Sequence, residues 1–185
     1  GMVVGLGTGS TAKEFIIVLG AKVASGMKLR AVPTSSETAA LAGQSGIPLL
    51  DENDHWPIDV AVDGADQVDP SFNLIKGGGG ALLKEKIVAA SAKQFVVLID
   101  YTKRVPFLGR TFPLPIEIVP FGWRNSARAI ETLTRSRVIV REQAGSPFRT
   151  ESGNMIMDTH VEQIDDPRGL EGALRRIPGI VETGL

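Results

Sequence analysis

The 185-residue chain contains no cysteine. Disulfide staples, thiolate nucleophiles and thiolate metal ligands are therefore excluded, and the composition fits a reducing compartment. No apolar run approaches the ~20 residues that a membrane-spanning helix requires, and the N-terminus lacks a basic, then apolar, then small-residue signal pattern. These two absences point to a cytoplasmic protein with no membrane partner. Net charge is nearly absent as well, at -1. A nucleic-acid reader is usually far more basic, so no nucleic-acid partner is expected. With so little field over the whole molecule, a charged ligand must be held by local donors. Histidine is scarce: His55 and His160 stand alone in separate segments, and no group of residues has metal-ligand spacing. Internal repeats and low-complexity tracts are lacking too.

What remains is an ordinary globular composition, 43% hydrophobic and 22% charged, long enough for one sizeable core or a domain plus a small satellite. The chain opens with MVVGLGTGSTAKEFIIVLG, a short apolar strand running into a glycine loop and then a helix. Glycine-rich turns before a helix free backbone N–H groups to face an anion, and the helix dipole favours negative charge there. Thr8, Gly9, Ser10 and Thr11 supply hydroxyl and N–H donors suited to a phosphate monoester, or equally form a tight turn with an N-cap. The loop is not a nucleotide fingerprint, since neither GxGxxG nor GxxxxGK[ST] is matched. PTSSETAALA reads as a second strand end followed by a capped helix with Glu37 in its first turn, IPLL as an edge strand, and IDVAV as a strand that hands over to Asp63.

The richest chemistry lies between Asp63 and Lys103, where DGAD, KGGGG, KEK and DYTK follow one another. Asp63 and Asp66 sit just past a strand end, flanking Gly64 and Ala65. After a short loop come Lys76 and the glycines from Gly77 to Gly80, then a helix over ALLKEKIVAASA, and then a strand over QFVVLID ending before Lys103. On that helix Glu85 shares its face with Ala81, Leu82, Val88 and Ala89. A carboxylate on an apolar face is either half of a buried salt bridge or a general base, because desolvation raises a carboxyl pKa toward the useful range. DGAD alone is equally a turn sequence.

Four strands ending in Gly, Ser/Thr or Asp loops and separated by helices signal a parallel sheet, in which ligands bind beyond the carboxyl ends of the strands. From about residue 111 the order becomes β-α-β-β-α-β, the split βαβ or ferredoxin-like arrangement. The expected fold is thus α/β: a Rossmann-like, open, mostly parallel sheet over residues 1–110, which carries the candidate anion site, and a small ferredoxin-like α+β domain over 111–185.

Taken together, GLGTGSTA, PTSSETAALA, DGADQVD, IKGGGGALLKEK, LPIEIVPF and PGIVETGL closely resemble the A-type ribose-5-phosphate isomerases over essentially the whole chain. The resemblance implies reversible conversion of ribose 5-phosphate to ribulose 5-phosphate through an enediolate, in the pentose phosphate pathway and the Calvin cycle. No metal or organic cofactor is implied, and a homodimer or homotetramer is. It puts the proton-shuttling base on Glu85, the substrate-contacting carboxylates on Asp63 and Asp66, and lysines on Lys76 and Lys103. The phosphate and sugar loops fall on Thr8 to Thr11 and Gly77 to Gly79. Lys76 is then expected to steady the enediolate. The sequence departs from the pattern at Gln67, where relatives usually carry an acid, and in lacking a helix before GLGTGST and a strand and helix after the last GL. With Gly1 and no initiator methionine, part of a longer chain is expected. Two other readings use the same loops: an amino-sugar phosphate deaminase, which would need a histidine beside DGAD, and a non-catalytic sugar-phosphate sensor, which could dispense with Glu85.

Overall fold

The computed structural model describes all residues from 1 to 185. The chain divides into two compact units, Gly1–Gly64 with Lys84–Ile99, and Ala65–Leu83 with Asp100–Leu185. In the first unit β1 (Met2–Leu6), α1 (Ser10–Ala24), β2 (Leu29–Pro33), α2 (Ser36–Gln44) and β3 (Ile58–Asp63) follow in turn. The chain then leaves this unit for a β-hairpin, β4 (Gln67–Val68) and β5 (Leu74–Ile75). It returns through α3 (Leu82–Ala90), which belongs to the first unit from Lys84 onward, and β6 (Ala92–Val97).

The four strands of the first unit form a wholly parallel sheet in the order β2-β1-β3-β6. Sequence order reverses beside β1, which pairs with β2 on one side and β3 on the other, so the loops after β1 and β3 lie at a topological switch point. Alternation along β1 sorts its side chains between two cores. Val4 and Leu6 pack with Ile16 and Leu19 of α1 and Ala42 of α2. Val3 packs with Val32, Ile58, Ala61 and Val88 of α3. Each fully buried Leu, Ile or Val stabilises the fold by about 1.5–3 kcal/mol, which is why a sheet covered on both faces reads as near-continuous valine and isoleucine. Gly5 is required by packing: a Cβ there would lie 2.5 Å from Val88 Cγ1.

In the second unit β7 (Leu114–Ile118), α4 (Trp123–Thr134), β8 (Arg137–Val140), a short hairpin of β9 (Glu142–Gln143) and β10 (Ser146–Pro147), β11 (Met155–His160), α5 (Pro167–Leu174) and β12 (Ile180–Thr183) follow the Asp100–Pro113 connection. The antiparallel sheet order is β12-β7-β11-β8. Among the four main strands that is fourth, first, third, second, the ferredoxin-like order expected of β-α-β-β-α-β. Leu114, Ile116, Ile118, Met155 and Met157 form one buried face with Ile130 of α4 and Leu174 of α5. Glu117, on the other face, is 1% exposed, and its Oε1 accepts from Thr150 Oγ1 and Asn154 Nδ2, both at 2.9 Å. This carboxylate closes the turn that ESGN announces.

Three local expectations change. IPLL forms only an isolated bridge from Leu49 to Ala31, with Ala31 donating to Pro48 O and accepting from Leu50, because a segment entered through a proline offers few ladder bonds. The strand over QFVVLID begins at Ala92 and ends at Val97, and the helix before it stops at Ala90. The stretch between DGAD and KGGGG is a hairpin, closed by Asp69, whose Oδ1 accepts from Ser71 N and Asn73 N and whose Oδ2 accepts from Asn73 Nδ2. No helix is long and apolar enough to cross a membrane.

Candidate active site

The first unit brings the loop after β1 against the end of β3. Asp63 is 3% exposed. Its Oδ1 accepts from Gly64 N at 2.7 Å and Thr8 N at 3.2 Å, so the carboxylate joins the two loops at the switch point. Gly7 makes this possible: a Cβ there would sit 2.0 Å from that oxygen.

Next to it the two helix starts differ. Ser35 caps α2 by accepting from Thr38 N at 3.1 Å, and Glu37 lies in the first turn. This is the capping reading of SSET. Gly9, at φ 107, begins α1 with no side-chain cap and no acid in the first turn. The positive end of α1 is thus left open to an anion at Ser10 and Thr11. The Thr8 hydroxyl has neighbours within the protein. Its Oγ1 lies 2.8 Å from Thr34 Oγ1, 2.9 Å from Ser35 Oγ and 3.2 Å from Thr38 Oγ1. Thr38 Oγ1 in turn donates to Gly7 O at 2.9 Å. These contacts brace the loop.

Glu85 is 5% exposed, on the same helix face as Leu82 at 2% and Val88 at 4%. It is the one ionisable group on an otherwise apolar buried stripe of α3, as its neighbours at three positions predict.

In the second unit, the β4–β5 hairpin pairs Gln67 with Ile75, and Asp66 N donates to Ile75 O at 2.8 Å. The register sets Asp66 opposite Lys76 at the open end of the hairpin. Asp66 Oδ2 accepts from Gly78 N at 2.8 Å, and a Cβ on Gly78 would lie 2.6 Å from Asp66 Oδ1. Lys76 N donates to Gly184 O at 2.8 Å, anchoring the start of the glycine loop. Gly77 at φ 100 and Gly80 at φ 84 both need the left-handed region that glycine tolerates. Gln67 is buried and structural: Oε1 accepts from Gly109 N at 2.8 Å while Nε2 contacts Thr111 Oγ1 at 2.7 Å. A neutral amide supplies both a donor and an acceptor, which a carboxylate could not. Lys103 ends a 3-10 turn over Tyr101–Lys103 whose cap, Asp100, accepts from Thr102 N and Thr102 Oγ1. Those bonds hold the Asp100 carboxyl below its ordinary pKa. His55 and His160 are both exposed, and no group of three or more His, Asp or Glu side chains is arranged to hold a metal ion. The Thr34, Ser35 and Thr38 hydroxyls support the first loop from a separate segment of the chain. A row of three small polar residues straight after a strand, Thr34 to Ser36, is the signal they leave.

Residues 30–185 match the family model described as ribose 5-phosphate isomerase A (phosphoriboisomerase A). A ribose-5-phosphate isomerase A from Bradyrhizobium diazoefficiens is 51% identical over 197 residues, covering 100% of this chain and 80% of the relative. Another, from Nitrobacter hamburgensis, is 51% identical over 191 residues, covering 100% and 82%. Among solved structures, a D-ribose-5-phosphate isomerase in complex with phospho-erythronic acid superposes with a TM-score of 0.95 at 42% identity, covering 99% of this chain and 81% of that one. The ribose 5-phosphate isomerase A of Methanocaldococcus jannaschii gives 0.94 at 42% identity, covering 100% and 82%.

Proposed function

The chain belongs to the ribose 5-phosphate isomerase A family, and from that premise we infer which of its residues move the proton. It is an aldose–ketose isomerase that interconverts D-ribose 5-phosphate and D-ribulose 5-phosphate. In the open-chain aldose, the C2 proton must leave and a proton must arrive at C1, while the hydroxyl proton on O2 is lost and one is gained at O1. The intermediate is an enediolate, whose negative charge needs a fixed donor or cation.

The observation that carries the assignment is Glu85, a carboxylate 5% exposed on an apolar helix face. A base so placed takes the proton from C2 and delivers one to C1. Lys76 supplies the cation for the enediolate, and Asp63 and Asp66 assist ring opening and transfer of the hydroxyl proton. The backbone N–H groups of Gly9 to Thr11 at the uncapped start of α1 take the phosphate, with Thr8 bracing them. Gly64 and Ala65, the glycines from Gly77 to Gly79, and Lys103 complete the sugar contacts.

The phosphate assignment has its own test in Ser10→Asp. An acid in the first turn suits the helix dipole, so unfolding in urea should be unchanged or slightly later. Two like charges ~4 Å apart near a surface repel by more than the ~1.4 kcal/mol that equals a factor of ten, so KM for ribose 5-phosphate should rise about tenfold or more. An unchanged KM would remove the phosphate from the start of α1.

A phosphorylated sugar as substrate and a chain without cysteine support a cytoplasmic setting. Rings as exposed as Phe72, Tyr101 and Phe121, at 85%, 85% and 94%, support self-association into a dimer or tetramer. Sedimentation equilibrium at only the 19.7 kDa monomer mass would count against that.

A further inference from the structure

The glycine loop after Lys76 is held from outside by a residue 64 positions further along the chain. Arg141 lies between β8 and the β9–β10 hairpin. Its Nε donates to Asp158 Oδ2 at 2.9 Å and its Nη2 to Asp158 Oδ1 at 2.5 Å, a two-point pairing that fixes the plane of the guanidinium. Its Nη1 then donates to Gly77 O at 2.9 Å and to Gly78 O at 3.0 Å. Both groups are mostly covered, with 15% of the Arg141 side chain and 17% of that of Asp158 exposed. Four of the five guanidinium N–H donors are therefore committed, two to hold the arginine and two to hold the loop.

Holding these two carbonyls fixes two successive peptide planes. In a trans peptide the N–H points opposite to the C=O. With Gly77 O and Gly78 O turned toward Arg141, the N–H groups of Gly78 and Gly79 must face away from it. The Gly78 N–H is found on Asp66 Oδ2, at 2.8 Å. The Gly79 N–H belongs to an exposed residue and is left facing outward. Phe148, at the other end of the same short hairpin, closes the loop from the Gly80 side: a Cβ on Gly80 would meet its Cζ at 2.5 Å. Left alone, four glycines in a row are the most flexible stretch the chain could contain.

We propose that Arg141, anchored by Asp158, is the positioning residue of the reaction. It orients the loop from Gly77 to Gly79 so that the Gly79 N–H and the adjoining Asp66 and Lys76 are preset for the sugar. This rests on the reading of that loop as a substrate contact. Lysine cannot replace the arginine, because a point charge cannot hold a carboxylate and two carbonyls at fixed angles.

The test compares wild type, Arg141→Ala and Arg141→Lys in steady-state ribose 5-phosphate turnover, with and without guanidinium ion at millimolar concentration. Amide hydrogen exchange over residues 76–80 and thermal unfolding are followed in parallel. Loss of preset geometry of this kind costs about 100-fold. The expected result is a fall of that order in kcat/KM for both variants, faster exchange over the loop, and partial recovery of Arg141→Ala, but not of Arg141→Lys, by guanidinium. A purely architectural arginine would lower the unfolding temperature and show no chemical recovery, which overturns the proposal. Unchanged exchange and unchanged kinetics overturn it as well. Faster loop exchange with undiminished turnover leaves Arg141 holding the loop but separates the loop from the substrate, so the underlying reading fails and the proposal with it. That case is told apart from failure of the base assignment, which Glu85→Gln tests independently.

Discussion

Replacing Gly7 by alanine tests how tightly chemistry and fold are joined at the switch point. The φ of Gly7 is not in the left-handed region, so only space is at issue. The added Cβ would lie 2.0 Å from Asp63 Oδ1, 2.1 Å from its Cγ and 2.6 Å from its Cβ. Ordinary contact begins near 3.4 Å, so the carboxylate must move by about 1.4 Å, and because the Cβ is also too close, rotation of the side chain alone is not enough. Movement breaks the bonds from Thr8 N at 3.2 Å and Gly64 N at 2.7 Å. Hydrogen bonds to a charged group contribute about 1.5–3 kcal/mol each, and overpacking adds about 1–3 kcal/mol. Allowing for non-additivity, destabilisation of about 3–6 kcal/mol is expected, a large share of a domain's total stability. Turnover should fall about 100-fold even in the folded fraction, since Asp63 no longer meets the substrate in register. Urea unfolding followed by circular dichroism gives the first quantity, and ketose formation per folded molecule the second. Gly43→Ala is the control. Gly43 is inside α2 with nothing within 4 Å of its Cβ position, and alanine there should stabilise by about 0.5–1 kcal/mol with full activity. Wild-type stability in Gly7→Ala would refute the packing argument. Lost stability with intact specific activity would refute the role given to Asp63.

Two further predictions concern stability alone. Glu117→Ala removes the shared acceptor of Thr150 Oγ1 and Asn154 Nδ2 from a position 1% exposed. Leaving buried donors unmet should cost about 1–3 kcal/mol in a urea titration, and a change below experimental error would show that the turn closes without it. The Asp59 carboxyl is held below its ordinary pKa, chiefly by the hydrogen bond from Lys93 Nζ at 2.7 Å and then by that from Val3 N at 2.9 Å. A depressed acid contributes its stability above the unfolded-state pKa and loses it as pH falls through the folded-state value. The urea midpoint should therefore drop below about pH 4, and Asp59→Asn should flatten that part of the profile. Parallel wild-type and variant curves from pH 5 to 3 would rule the linkage out.

Local signals made much of this molecule legible. The parallel sheet follows from valine-rich strands ending in Gly, Ser/Thr or Asp loops, and Glu85 stands out because neighbours at three positions on a helix share a face. The burial of Glu85 agrees with that pattern. What the sequence did not disclose is contact at a distance. Thr8 meets Thr34 and Thr38 across separations of 26 and 30 residues, and Arg141 meets Gly77 across 64. No local pattern specifies such pairs. The β4–β5 hairpin leaves no strand signal in the sequence because each of its strands has only two residues, too few for alternation to show. IPLL went the other way, apolar enough to suggest a strand yet limited to one bridge by Pro48.

The most direct measurement of the account is turnover of ribose 5-phosphate in heavy water by the intact protein and by Glu85→Gln, following ketose formation and deuterium uptake at the exchanging carbon. Glutamine keeps the size and the hydrogen-bonding reach of the side chain but cannot take a proton. The account predicts that the variant stays folded and loses 100-fold or more, on the order expected of a general base, in both ketose formation and exchange. Turnover and exchange equal to those of the wild type would mean that the proton travels by another group.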